Sequence, residues 1–180
     1  MAITRLGGAN AITGTIPQGN IANASLGAVT TLPSAIATGR VLQVLTATDS
    51  TTRNTTSTSF VTGSNTATVN ITPSATSSKI FVTLSGHCSI PTQTGHSNRI
   101  TVYRGSTNLG GSHGFVNFNS YVDGSTSGYV NGSWSISVLD SPSTSSQITY
   151  QMYFKSESGS YAATIGNSTK TTITVFEIGA

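Results

Sequence analysis

Few residues in this sequence have side chains able to do chemistry. The carboxylates are Asp49, Asp123, Asp140, Glu157 and Glu177, the histidines are His87, His96 and His113, and the one thiol is Cys88. Glycoside hydrolysis needs two positioned carboxylates. Here Asp123 falls in a loop, Asp140 and Glu157 stand beside turns, and none lies in a recognisable motif. A G-x-S-x-G string is present at Gly110-Gly111-Ser112-His113-Gly114. In hydrolases that string works because a strand-to-helix turn exposes the serine over an oxyanion hole. No helical pattern follows it here, and in a chain with 19 glycines it reads as a glycine-rich loop. No catalytic residue is expected, and the chain is read as not being an enzyme.

Metal chemistry has as little to start from. The three histidines share no ligand spacing of the H-x₃-H or H-E-x-x-H kind. His87 and Cys88 are neighbours, so on a strand they point to opposite faces. Only a three-fold axis gathering three copies of one histidine would make a site. No metal and no cofactor is expected, and Cys88 reads as a small buried residue. A single cysteine also excludes an intramolecular disulfide framework.

Binding chemistry is better represented. In Phe115-Val116-Asn117-Phe118-Asn119-Ser120-Tyr121-Val122-Asp123-Gly124, with Tyr129 beyond, aromatics alternate with amides and hydroxyls. Stacking faces beside hydrogen-bonding groups suit a sugar-binding surface, and binding loops in general. The candidate ligand residues are Asn117, Asn119, Tyr121, Asp123 and Tyr129. Phe115 and Phe118 are expected in the core at either end of a strand, since large apolar residues are mostly buried.

Composition bounds the rest. Charged residues are 7% of the 180 positions, against about a quarter in an average soluble domain. Ser and Thr fill about a third of the chain, so polarity comes from hydroxyls and amides. The net charge is +3, but the eight basic residues are strung out singly. Nucleic-acid binding needs them clustered, so no nucleic-acid partner is expected. No run approaches the roughly 20 apolar residues of a membrane helix, and the first residues lack the apolar stretch of a signal peptide. The expectation is synthesis in a host cytoplasm without membrane insertion. The Ser/Thr-rich, charge-poor surface chemistry nevertheless looks extracellular, and a virion surface protein released by lysis reconciles the two. Sequons at Asn23, Asn54, Asn70, Asn131 and Asn167 follow from the Asn and Thr content and are not expected to carry glycans.

The elements that must position these residues are strands. From Arg40 onward apolar residues alternate with polar ones, the period of a half-buried strand. Val41–Leu45 opens a first strand. Ser59–Thr62 and Thr66–Ile71 look like a hairpin across Gly63-Ser64-Asn65. Lys79–Ser85 turns Ile80, Val82 and Leu84 to one face, and Arg99–Arg104 leads into a turn at Gly105–Asn108. Ser133–Val138 directs Trp134, Ile136 and Val138 inward, and Ile148, Tyr150, Met152 and Phe154 repeat the pattern. Lys170–Ile178 is a last strand. Short strands with no helical interruption indicate an all-β, antiparallel jelly-roll or β-sandwich head over residues 40–180. Residues 1–39 differ: Ile3, Leu6, Ile12, Ile16, Ile21 and Leu26 follow neither a 3.6 nor a 2.0 period, and Gly and Pro interrupt them. They are read as an extended N-terminal attachment arm whose apolar residues dock on another chain.

Particular stretches carry a resemblance. Ile12-Thr13-Gly14-Thr15-Ile16-Pro17 and Asn20–Leu26 are similar to the fibre-shaft segments of marine and cyanobacterial phage tail-fibre proteins. Ile71-Thr72-Pro73-Ser74-Ala75-Thr76-Ser77-Ser78-Lys79-Ile80, Val102–Gly110 and Thr172–Ile178 resemble stretches that recur in the heads of such proteins. The resemblance implies a homotrimer with heads folded like the C1q and tumour-necrosis-factor jelly rolls. It further implies a short tail fibre or spike on the outer surface of a virion. Other virion proteins would hold its arm, and a host surface glycan would be its ligand. One arm and one head is short for a tail fibre, so a capsid decoration or head-fibre protein stays open. A free C1q-like lectin is the reading from a different class.

Overall fold

The structure, a computed structural model, describes residues 39–92, 95–120 and 128–179. The arm residues Ile3, Leu6, Ile12, Ile16, Ile21 and Leu26, and the candidate ligand residues Tyr121 and Asp123, lie outside the described residues.

Among the described residues, eleven strands build two antiparallel sheets packed as a sandwich, as the alternation predicts. The six-stranded sheet holds β1 (Val41–Asp49), β2 (Arg53–Thr55), β4 (Lys79–Pro91), β8 (Tyr129–Asp140), β10 (Ala163–Ile165) and β11 (Thr171–Ile178). Its spine is β4. One edge of β4 pairs with β8 along nearly its whole length, from Ile80↔Asp140 to Pro91↔Tyr129. The other edge is shared, first by β11 with β1 outside it, then by β10 with β2 outside it. The five-stranded sheet holds β3 (Thr68–Ile71), β5 (His96–Arg104), β6 (Thr107–Asn108), β7 (Val116–Ser120) and β9 (Ile148–Ser156). There β9 lies between β3 and β5, and β7 and β6 share the far edge of β5.

The core is what the alternation places between the sheets. Ile80, Val82 and Leu84 of β4 and Ile173 and Val175 of β11 meet Ile100 and Val102 of β5 and Met152 and Phe154 of β9. Trp134 and Ile136 are buried from β8, with Val138 packed against them. Cys88 is fully buried and its thiol is pushed up to about 12 by that burial.

Few side chains are charged, and the pair of Arg104 with Asp140 ties the two layers together. Asp140, at the end of β8, accepts two bonds from Arg104 Nη1 of β5 (2.8 and 2.9 Å) and one from the Tyr150 hydroxyl of β9 (2.6 Å). Asp49 accepts from Arg53 Nε and from the backbone N–H groups of Thr51 and Thr66. Burial works to raise its pKa, but these bonds hold it below the ordinary carboxylate value. Glu177 is fully buried and holds the segment after β3 through the Ser74 N–H and hydroxyl, both at 2.6 Å, with Gln43 Nε2 also at 2.6 Å.

Three local expectations change. The Ser59–Ile71 hairpin does not form. Val61 bridges to Phe154, and β3 pairs with Gln151–Ile148 further along the same strand. Both runs therefore lie on one edge of β9, and residues 62–65 loop out between them. Asn65 makes this workable, since its side-chain Nδ2 donates to Met152 O (3.0 Å) while Met152 N donates to Ala67 O (3.1 Å). Gly63 and Ser64 turn with φ of 56° and 57°. The turn after β5 is shorter than expected, because Thr107 and Asn108 already pair with Arg104 and Tyr103. Phe115 is not a core residue but 40% exposed. It precedes β7, where Val116 and Phe118 take the inward positions and pack against the core.

Candidate functional site

The outward face of the six-stranded sheet is divided into an apolar end and a polar end. Register aligns Val44 of β1 with Phe176 of β11, Phe176 with Phe81 of β4, and Phe81 with Leu139 of β8. One apolar row thus crosses four strands. Val44 is 51% and Leu139 54% exposed, and Val41 beside them is 53% exposed. The Phe81 and Phe176 rings are tilted at 41° with centroids 6.1 Å apart. The next two outward rows are uncharged: Thr46, Thr174, Thr83, Ser137, then Thr48, Thr172, Ser85, Ser135. Hydroxyls there bond across strands, as Thr46 with Thr174 at 3.1 Å. Lys79 stands at the rim, opposite Ile178.

The composition missed this row, yet a signal for it exists. Val44-Leu45, Ile80-Phe81-Val82, Val138-Leu139 and Val175-Phe176 each break strict alternation with adjacent apolar residues. In a strand, adjacent apolar residues put greasy side chains on both faces.

At the polar end the sheet carries a hollow of about 330 Å³. Asn54 of β2, Ser89 of β4, Tyr129 and Asn131 of β8 and Thr164 of β10 line it, with Asn167 from the turn between β10 and β11. Tyr129 is 67% exposed at its margin. Asn167 Nδ2 donates to Asn131 Oδ1 (3.2 Å).

The structure separates the sequence-predicted ligand residues that it describes. Asn117 and Asn119 are exposed on β7 of the five-stranded sheet, where Asn119 Oδ1 accepts from the Ser97 hydroxyl (2.6 Å). Tyr129 stands on β8 of the other sheet and belongs to the polar hollow. The two groups face away from opposite sides of the sandwich.

Most of the other described groups with chemical potential are engaged within the fold. Gly111–His113 is a short 3-10 turn, and the loop holding it is tied to β5 by Leu109 N–H to Val102 O and Phe115 N–H to Ile100 O. A Cβ on Gly110 would come 2.6 Å from Thr101 Oγ1, and one on Gly114 2.7 Å from Ile100 O. The four described carboxylates each hold hydrogen bonds, Glu157 with Arg99 Nε at 2.9 Å. Burial favours protonation of Glu157, but Arg99 and Lys155 keep its pKa below the ordinary value. His87 lies on β4, His96 on β5 and His113 in the 3-10 turn. His96 is buried, which lowers its pKa, and its ring meets Tyr161 edge-on at 4.2 Å. Among the described residues no three His, Cys, Asp or Glu come together as a metal site. No family model matches the sequence, and no curated protein does.

Proposed function

We propose that this chain is a non-enzymatic structural protein of a phage particle. Its β-sandwich heads associate as a homotrimer through the apolar end of the six-stranded sheet, and residues 1–39 bind other virion proteins. The observation that carries this reading is the row Val44–Phe176–Phe81–Leu139. A contiguous apolar strip flanked by uncharged hydroxyl rows is the mark of an interaction surface. A second copy of the chain is the occupant that suits it. The flanking Thr and Ser rows carry no charge to repel their own image, and an isologous or cyclic contact demands that self-compatibility. Three copies, and the virion itself, rest on the likeness of the sequence to tail-fibre heads. That each described carboxylate is tied into the scaffold supports a structural role over a catalytic one.

A short tail fibre or spike contacting the host is the favoured placement, with capsid decoration as the other. Imaging the intact particle at subnanometre resolution tests both. A few trimers at the tail or one vertex identify a fibre, and copies spread over the shell identify decoration. Absence of the chain from purified particles overturns the proposal.

A further inference from the structure

We infer that the polar hollow on the six-stranded sheet is a binding site for a neutral carbohydrate. This deepens the host-contact part of the proposed function and rests on it. The hollow combines an exposed aromatic ring, Tyr129, with amides of Asn54, Asn131 and Asn167 and the hydroxyls of Ser89 and Thr164. A sugar ring offers an apolar face and a rim of hydroxyls that both donate and accept. Amides and hydroxyls are the side chains that do the same without charge. Among the described residues no Lys, Arg, Asp or Glu lines the hollow, and none of them offers a counter-ion for a phosphate, sulfate or carboxylate. Its size falls at the small end of ligand pockets, about 300–1,000 Å³, which suits a terminal sugar.

Two features show that the site is held in shape. Asn167 reaches Asn131 from a turn in which Gly166, Asn167 and Ser168 all have positive φ (83°, 31° and 66°). Non-glycine residues rarely adopt that backbone, and such strain clusters where a side chain must be presented. Bonds from Ser168 N to Thr52 Oγ1 (3.2 Å) and from Thr169 N to Gly166 O (2.6 Å) fix the turn. The single bond between Asn131 and Asn167 uses a fraction of the capacity of two amides, so the pair is oriented and still able to bind. The site is also clear of the assembly surface. Ser89 and Asn131 stand eight residues along β4 and β8 from Phe81 and Leu139, roughly 26 Å at strand rise.

The test is binding of the full chain to arrayed neutral oligosaccharides ending in glucose, galactose, mannose or N-acetylglucosamine, beside sulfated and sialylated counterparts. The expected result is retention of at least one neutral glycan. Tyr129→Ala and Asn131→Ala should each weaken it tenfold or more with thermal unfolding unchanged, and Asn119→Ala should leave it as it was. Retention of charged glycans only, of none, or wild-type binding by both hollow variants overturns the inference. If either variant fails to fold, Asn54→Ala on the short β2 replaces it. A trimer on the particle that binds no neutral glycan sinks this inference alone. A monomer that binds one sinks the assembly reading alone.

Discussion

Phe81 and Phe176 face each other across the β4–β11 ladder on the outside of the sandwich, 6.1 Å between ring centroids. Cross-strand aromatic pairs are worth about 0.5–1.5 kcal/mol beyond their buried area. Their neighbours Val44 and Leu139 lack cover on the outer side, which is why the row is read as unfinished until another copy meets it. Phe81→Ala should therefore weaken both fold and assembly, whereas Val44→Ser should weaken assembly with the unfolding midpoint of the dissociated head nearly unchanged. Urea unfolding at low protein concentration, alongside sedimentation at high concentration, separates the two effects.

Glu177 is expected to make the head acid-sensitive. Desolvation pushes its carboxyl up, but the hydrogen bonds from Ser74 and Gln43 outweigh this and lower it from the ordinary value to about 2. A carboxylate whose folded pKa is depressed contributes stability above its unfolded value and loses it as pH falls through the folded one. The contribution, on the order of 3 kcal/mol, should be intact above pH 4.5 and fade toward about pH 2. Glu177→Gln should flatten that slope in pH-dependent urea unfolding. An unchanged slope would assign the acid sensitivity to another group.

Asp140 joins the two sheets, and its partners are not equivalent. Tyr150→Phe removes one neutral donor and leaves the pair with Arg104, so it should cost about 1–2 kcal/mol. Asp140→Ala strands both the buried Tyr150 hydroxyl and the Arg104 guanidinium, and should cost about 3 kcal/mol or more. Chemical denaturation of the two variants gives the order directly.

Much of this scaffold is legible in the sequence. Trp134, Ile136 and Val138 alternate with serines, and one-face burial follows from period two alone. The segment from Ser59 to Ile71 misleads because its glycine turn and β-branched flanks fit a local hairpin, while the actual partner, β9, lies about eighty residues away. Nothing local reveals that Asn65 replaces a ladder bond to that strand. The polar hollow is hidden for the same reason: Asn54, Asn131 and Asn167 come from separate elements, and only the pairing of β10 between β2 and β4 brings them together. The stretch Phe115–Tyr129 looks like one surface in the sequence, but Asn117 and Asn119 stand on β7 of one sheet and Tyr129 on β8 of the other.

Ser112 and Gly114 distinguish a loop from an active site. Ser112→Ala should leave stability within about 0.5 kcal/mol, as for an exposed residue. Gly114→Ala places a Cβ 2.7 Å from Ile100 O at a φ of +72° and should cost about 1–3 kcal/mol. Thermal unfolding of both variants reads this out.

The most direct test of the assembly is the solution mass of the full chain and of Leu139→Lys by sedimentation equilibrium. Association as a trimer through the apolar row predicts three times the 18.4 kDa of the chain for the wild type. For the variant the expected result is a folded monomer, with a charge placed at the β8 end of the row. A wild-type monomer, or a trimer indifferent to Leu139→Lys, would contradict association through the apolar row.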